Sequence, residues 1–344
     1  MSKKNKTLSI VIFSLIAAVA LFGYLQLFAN NTKFSENETF VHIPTNANYN
    51  QVLKIINPYI KDKSKFENIA KLRSYDKHFK SGRFLLKNGM GTFSIITALR
   101  RNIAVKLAFN NQERLEDFAG RVGSQIEADS LSLLKSFKNS EFLSKNGFTE
   151  DNVLVICLPN TYEMYWNTTA DKFRDKMFNE YQKYWTDNRI NLAKANNLTP
   201  ITATILASIV HKESVKKDER PRIAAVYLNR LKIGMPLQAD PTVIYAVKKK
   251  SNDFNQVIKR VFAGDLGLNS PWNTYVNIGL PPGPVAMPDI TALEAVLKPE
   301  KNEYLFFCAS VERFGYHEFA KTFAEHTVIA NKYREWIKNQ GVKR

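Results

Sequence analysis

Cysteine is nearly absent. Cys157 and Cys308 are the two among 344 residues. That excludes a disulfide-stapled scaffold and a multi-cysteine zinc or iron–sulfur site. Both lie in apolar runs, which predicts buried free thiols, with pairing in an oxidising compartment as the alternative. Histidine is also scarce. His42, His78, His211, His317 and His326 are too scattered for a metal site, and no H-E-x-x-H occurs. G-x-S-x-G and a phosphate-cradling glycine loop are missing, which argues against an α/β-hydrolase and a nucleotide-binding loop. His211-Lys212-Glu213 matches the H-x-E of zinc deaminases, but the P-C-x-x-C that must accompany it is absent. There is no internal repeat and no low-complexity tract.

Negative charge is short as well: 32 Asp+Glu against 49 Lys+Arg leave a net +17. Such a surplus points to nucleic acid, an anionic membrane surface or an acidic polymer. No dense basic run with interleaved aromatics supports the first. Lys248-Lys249-Lys250 is short and reads as a helix end or loop. A solvated basic surface remains the alternative to any specific patch. Against these absences stand 44% hydrophobic and 12% aromatic residues, enough for a real core. The length suits two or three compact units.

The N-terminus fixes the expected compartment. Residues 1–7 form a tip with Lys3, Lys4 and Lys6, and the run 8–29 is almost wholly apolar. Those 22 residues would span about 33 Å as a helix, enough to cross a hydrocarbon core of about 30 Å. The positive-inside rule holds the lysines in the cytoplasm, so the rest of the chain is expected outside, in the periplasm if the envelope is Gram-negative. A signal peptide cleaved after Ala18-Val19-Ala20 is the alternative, but that site would cut the apolar run short. Of the surplus charge, +17 − 3 = +14 then faces outward, where anionic headgroups and cell-wall polymer replace DNA as partners.

Polar residues 30–38 read as a stalk. Residues 39–101 read as a small α+β module: a strand at Phe40–Ile43, a helix from Asn48 to Asn57, a strand at Arg83–Leu86, and a helix capped by Thr92. Beyond it, the patterns predict a strand from Asn102 to Phe109, broken helix from Glu113 to Ser144, a strand at Val153–Leu158, and one long helix from Ala170 to Ala195.

The chemistry-bearing residues concentrate after Thr199. Thr199-Pro200 starts a helix that runs to about Val215, with Ile205, Leu206, Ile209 and Val210 as its apolar stripe. Glu213 lies four after Ile209 and three after Val210, so it continues the buried stripe. Lost hydration raises a carboxyl's pKa, and an acid protonated near neutral pH is what general-acid cleavage of a glycosidic bond needs. The alternative is a Glu that closes the helix with a salt bridge to Lys216, Lys217 or Arg220. A second helix begins at Asp218 or Arg220, carries Ile223, Val226, Tyr227 and Leu231, and ends at Gly234. Tyr227 reads as core. Asp240-Pro241 signals the N-cap of a third helix reaching Val247. Gly279-Leu280-Pro281-Pro282-Gly283-Pro284 constrains or frees the backbone at five of six positions. With Asn273, Thr274 and Tyr275 before it, it suits the wall of a sugar groove, or else a structural loop.

Ile205–Glu213, Glu219–Tyr245 and Ser270–Pro288 resemble the endolytic murein transglycosylase family (MltG, YceG-like). The Tyr304–Phe307 strand, the stretch His317 to His326, the single anchor and the small preceding module, LysM-like in that family, extend the resemblance. It implies an α+β fold: a transmembrane helix, a LysM-like α+β module at 39–101, and a larger α+β catalytic domain at 102–344. It also implies a lytic transglycosylase that cleaves the MurNAc–GlcNAc β-1,4 bond and leaves 1,6-anhydroMurNAc ends, without cofactor or metal. The implied partners are peptidoglycan strands, the cytoplasmic membrane and peptidoglycan synthases, with no nucleic acid.

The family's catalytic glutamate, second acid of a Glu-Lys-Glu-Thr motif, falls on Glu213. His211 replaces the first acid and Ser214 the threonine, while Pro159-Asn160-Thr161-Tyr162 departs from the family's Pro-Asp-Thr-Tyr. Gln238, Asp240, Asn273, Thr274 and Tyr275 are the expected substrate-binding groove. The competing readings are a wall-binding scaffold with a degenerate site, marked by His211, and ordinary glycan hydrolysis at the same acid.

Overall fold

The structure, a computed structural model, describes residues 3–339. Met1 and Ser2 of the expected cytoplasmic tip lie outside the described residues. The chain divides into two compact units. The first holds the chain up to Leu107 together with Gln125–Ala128 and Tyr162–Thr169; the second holds Ala108–Ser124, Asp129–Thr161 and Ala170 onward. The single boundary expected at residue 101 is therefore replaced by a chain that passes between the units several times.

The first unit opens with α1 (Lys3–Phe28), whose segment Lys6–Phe28 is strongly apolar and mostly exposed, which fits a single-pass membrane anchor. β1 (Glu38–Ile43) follows, then α2 (Tyr49–Ile56), α3 (Lys63–Leu72), the short α4 (Tyr75–His78), β2 (Gly82–Lys87) and α5 (Thr92–Ala98). β1 and β2 pair antiparallel, Glu38 opposite Lys87 and Ile43 opposite Gly82. Their inward residues Val41, Ile43, Phe84 and Leu86 meet Val52 and Ile56 of α2, Phe66 of α3 and Ile95 and Ile96 of α5 in one core. Asn48 and Gln51 close a reciprocal capping box at α2. The α3 helix was not expected from the sequence. Thr92 is the first residue of α5, after the cap position Gly91, and its hydroxyl instead accepts from Asn31.

That contact belongs to a larger correction. Residues 30–38 are not a free stalk. Asn31 and Thr32 are buried, and Asn30 and Thr32 bridge to Gly91 and Ile60. The Asn31 side chain accepts from Asp62 N at 2.8 Å and donates to Thr92 Oγ1 at 3.1 Å. Polar residues look solvated in a sequence, yet here their amides satisfy buried backbone and side-chain groups.

β3 (Ala104–Phe109) pairs with β4 (Asn160–Tyr165). Between them lie α6 (Leu115–Gly123), α7 (Ser130–Phe137) and α8 (Ser140–Asn146). The strand expected at Val153–Leu158 is instead a 3₁₀ turn, Val153–Ile156, buried on every side. A short apolar run without alternation fits a buried turn as well as a strand. The long helix expected over 170–195 is two helices, α9 (Ala170–Tyr184) and α10 (Asp187–Ala195), because Thr186 turns out of α9 and caps α10.

The rest of the second unit is α11 (Pro200–Glu213), α12 (Arg220–Lys232), α13 (Asp240–Ser251), the short α14 (Ala263–Leu266), α15 (Ile290–Leu297), the hairpin β5 (Phe306–Ala309) and β6 (His317–Ala320), and α16 (Phe323–Asn339). α11 is the central helix. Thr199 and Thr202 cap it reciprocally with Pro200 in the first turn, and it packs against α12, α13 and α15. Its residues from Ala203 to Val210 are all buried. The Ser208 hydroxyl accepts from Val285 N at 3.0 Å, tying the Pro/Gly-rich loop to the helix. Gly283 in that loop lies so close to the Asp151 carbonyl that any β-carbon would overlap it. Cys157 is buried, Cys308 partly so, and both are free thiols.

Candidate active site

Glu213 is the last residue of α11, and the helix ends there because buried neighbours hold the chain that follows. Arg220, itself buried, donates from Nε to the Ser214 carbonyl at 3.0 Å and from Nη1 to both oxygens of Asp289 at 2.8 Å. Asp289 caps α15 through Ala292 N. Burial alone would raise Asp289, but hydrogen bonds from His211, Arg220 and Thr291 hold it well below the ordinary aspartate range. This cluster bears on one of the expected alternatives. Arg220 pairs with Asp289, so it does not close α11 by a bridge to Glu213. His211 lies 3.4 Å from Asp289 Oδ2 and from Arg220, on a different face of α11 from Glu213.

Glu213 is half-buried and, among the described residues, forms no ion pair. Its one described hydrogen bond comes from the Tyr227 hydroxyl to Oε1 at 2.5 Å. Loss of hydration pushes its pKa up to about 7. The Tyr227 bond pulls down, the nearby Asp240 carboxylate pushes up, and His317 and Arg230 pull down. Tyr227 is raised well above its usual value, by burial first and then by Glu213, so it stays a donor. With Oε1 occupied by that donor, Oε2 is the oxygen left to carry the acid proton.

Asp240 is the first residue of α13, after the cap position Ala239. Its side chain does not cap the helix as the sequence predicted; it accepts the Tyr275 hydroxyl at 2.7 Å. Gln238 is exposed with a left-handed backbone (φ 49°), and its N–H donates to the Thr274 carbonyl at 3.1 Å. The structure thus brings Gln238, Asp240 and Tyr275 together. Asn273 and Thr274 are fully buried behind them. The Asn273 amide donates to the carbonyls of Leu266 and Leu268, and its oxygen accepts from Tyr275 N. Thr274 Oγ1 accepts from Ala239 N and lies 2.9 Å from the Thr242 hydroxyl. The groove contact expected of Asn273 and Thr274 does not fit this placement, since their polar groups are spent on shaping the loop.

Four further residues of the site carry no clear mark in the sequence. Tyr227 looks like core by spacing, yet its hydroxyl reaches Glu213. Arg230, one turn on, is buried and donates to the carbonyls of Leu237 and Leu305 at 2.6 Å, joining the segment before Asp240 to the start of the β5 hairpin. The i, i+3 spacing of Tyr227 and Arg230 on a helix with Glu213 as neighbour is the one sequence signal available. Buried Glu219 accepts from His317 N at 2.7 Å and Nδ1 at 2.9 Å, and from the Ser214 hydroxyl. The His317 ring packs edge-on against Phe307, which packs edge-on against Tyr227. Among the described residues, no cluster of three His, Cys, Asp or Glu is arranged to hold a metal.

The fold and the site define a mixed helix-and-strand protein with one acid held near neutral pKa at the end of its central helix. Residues 41–332 match the YceG-like family, and the chain belongs to it. The endolytic murein transglycosylase of Bacillus subtilis strain 168 is 28% identical over 324 residues, covering 88% of this chain and 86% of that protein. The endolytic murein transglycosylase of Streptococcus pneumoniae serotype 2 is 26% identical over 340 residues; this chain spans 60% of its length. A solved structure of a yceG-like protein from Listeria monocytogenes matches with a TM-score of 0.57 at 26% identity, covering 86% of this chain and 99% of that one.

Proposed function

We propose that this protein is a membrane-anchored endolytic peptidoglycan lytic transglycosylase with Glu213 as its catalytic acid and base. The observation that carries the reading is the half-buried Glu213 carboxyl, pushed up to about 7, with Oε1 held by Tyr227 and Oε2 open. The relatives named endolytic murein transglycosylases support the substrate. Glu213 protonates the glycosidic oxygen between MurNAc and GlcNAc as the bond breaks. The resulting carboxylate then takes the proton of the MurNAc C6 hydroxyl, whose oxygen attacks the anomeric carbon and closes the 1,6-anhydro ring. Proton and bond inventories balance without water, and one carboxyl serves both steps in turn. Asp240 faces the developing oxocarbenium charge, Gln238 and Tyr275 orient the sugars, and Asn273 and Thr274 hold the loop from behind.

The same reading sets the chain across the cytoplasmic membrane by α1, N-terminus inside, with the chain after α1 outside. Residues 39–101 act as the LysM-like glycan-binding module, a reading supported by the paired strands β1 and β2 with α2, α3 and the short α4 between them, and by a depression of about 420 Å³ along α2 lined by Pro44, Ala47 and Ile55. Peptidoglycan synthases are the partners whose new strands it trims.

Digestion of purified peptidoglycan by the wild type and by Glu213→Gln, read by mass spectrometry, tests the assignment. Anhydro-ended products that vanish in the variant support it. Equal inactivity of both proteins would turn the reading to the wall-binding scaffold.

A further inference from the structure

Glu113, just ahead of α6, is half-buried, and ammonium groups take both its oxygens. Lys212 Nζ donates to Oε1 at 2.6 Å and Lys248 Nζ to Oε2 at 2.8 Å. Lys212 precedes Glu213 on α11. Lys248 stands in the last turn of α13 and is only 8% exposed. Burial alone would raise Glu113, but the two ammonium groups outweigh it and hold the carboxyl below its ordinary value. One carboxylate therefore serves two cations, and the cluster keeps one surplus positive charge. Among the described contacts each ammonium spends one of its three donors.

An ion cluster with a buried member such as Lys248 gains most when its charges balance, because an unmatched buried charge is costly. This one does not balance, and it forms the charged end of a pocket of about 380 Å³. Pro241, Ile244 and Val285 supply apolar wall. Two lining residues neighbour the proposed site along the chain: Lys212 precedes Glu213, and Pro241 follows Asp240. A bare sugar would leave the surplus charge unmatched, and an inorganic anion would leave the apolar wall unfilled.

We propose that this pocket binds a peptide with small apolar side chains and a free terminal carboxylate, the carboxylate seated on Lys212 and Lys248. Resting on the function proposed above, its occupant is the peptide stem of the glycan strand being cut, so the enzyme reads the stem as well as the sugar.

The test is a calorimetric titration of the full chain carrying Glu213→Gln, in detergent, with diacetyl-Lys-D-Ala-D-Ala and with its C-terminal amide. The acid binds saturably. The amide binds about tenfold more weakly, as does the acid to Lys212→Gln and Lys248→Met, for loss of one charge-assisted hydrogen bond. Lys212→Gln lies at an exposed position and keeps the test open if Lys248→Met fails to fold. No binding of the acid, equal binding of acid and amide, or indifference to both substitutions would overturn the proposal. No catalysis enters the measurement, so its failure leaves the transglycosylase reading to the digestion experiment.

Discussion

The Tyr227 hydroxyl donates to Glu213 Oε1 across 14 residues of sequence, joining α12 to the last residue of α11. This bond stabilises the carboxylate, whereas desolvation and Asp240 stabilise the acid. Removing it in Tyr227→Phe raises the Glu213 pKa further. The alkaline limb of the activity–pH profile then moves up by about one pH unit, the equivalent of one buried hydrogen bond. A rate profile of the variant across pH 5–9 checks this; an unmoved limb would remove Tyr227 from the account.

The raised Glu213 also makes stability fall with pH. Its folded pKa of about 7 exceeds the ordinary 4.5, so the folded state binds the proton more tightly. The favourable state is complete below the unfolded value and is lost as pH rises through the folded one. Glu213→Gln, which mimics the protonated acid, should match the wild type at pH 4. At pH 8 it should be more stable by up to about 3 kcal/mol. Urea unfolding at the two pH values measures the difference.

His317 pulls Glu213 down and holds buried Glu219 through ring and backbone. His317→Gln should move the alkaline limb up, as Tyr227→Phe does, but with an effect that salt screens. It should also cost about 1–3 kcal/mol by weakening the hold on Glu219. Activity–pH profiles at low and high salt, with melting curves, separate the two effects.

Much of this site was legible because α11 is locally determined. The Thr199–Thr202 box, Pro200 and the stripe from Ile205 to Val210 mark the helix, and their spacing alone puts Glu213 on its buried side. What the sequence could not convey depends on crossings between elements. Tyr227 looks like core until α12 lies against α11, and His317 meets Glu219 across 98 residues. Local ambiguity accounts for other differences. Val153–Ile156 carries no periodicity, Thr186 breaks a pattern that continues on either side, and Asn31 hides buried hydrogen bonds behind a polar name.

The Pro/Gly-rich loop shows how one residue type fits one place. A methyl group at Gly283 meets the Asp151 carbonyl, so Gly283→Ala must push the loop or the 151–152 backbone aside. The expected cost is about 1–3 kcal/mol, with a lower melting temperature and a lower kcat from the displaced wall. A variant as stable and active as the wild type would deny that the close approach matters.

The central claim is that Glu213 cuts the glycan without adding water. Digestion of peptidoglycan in heavy-oxygen water, with mass spectrometry of the new MurNAc ends, tests it most directly. The account predicts anhydro ends free of label, produced by the wild type and absent with Glu213→Gln. Labelled reducing ends produced by the wild type would contradict it.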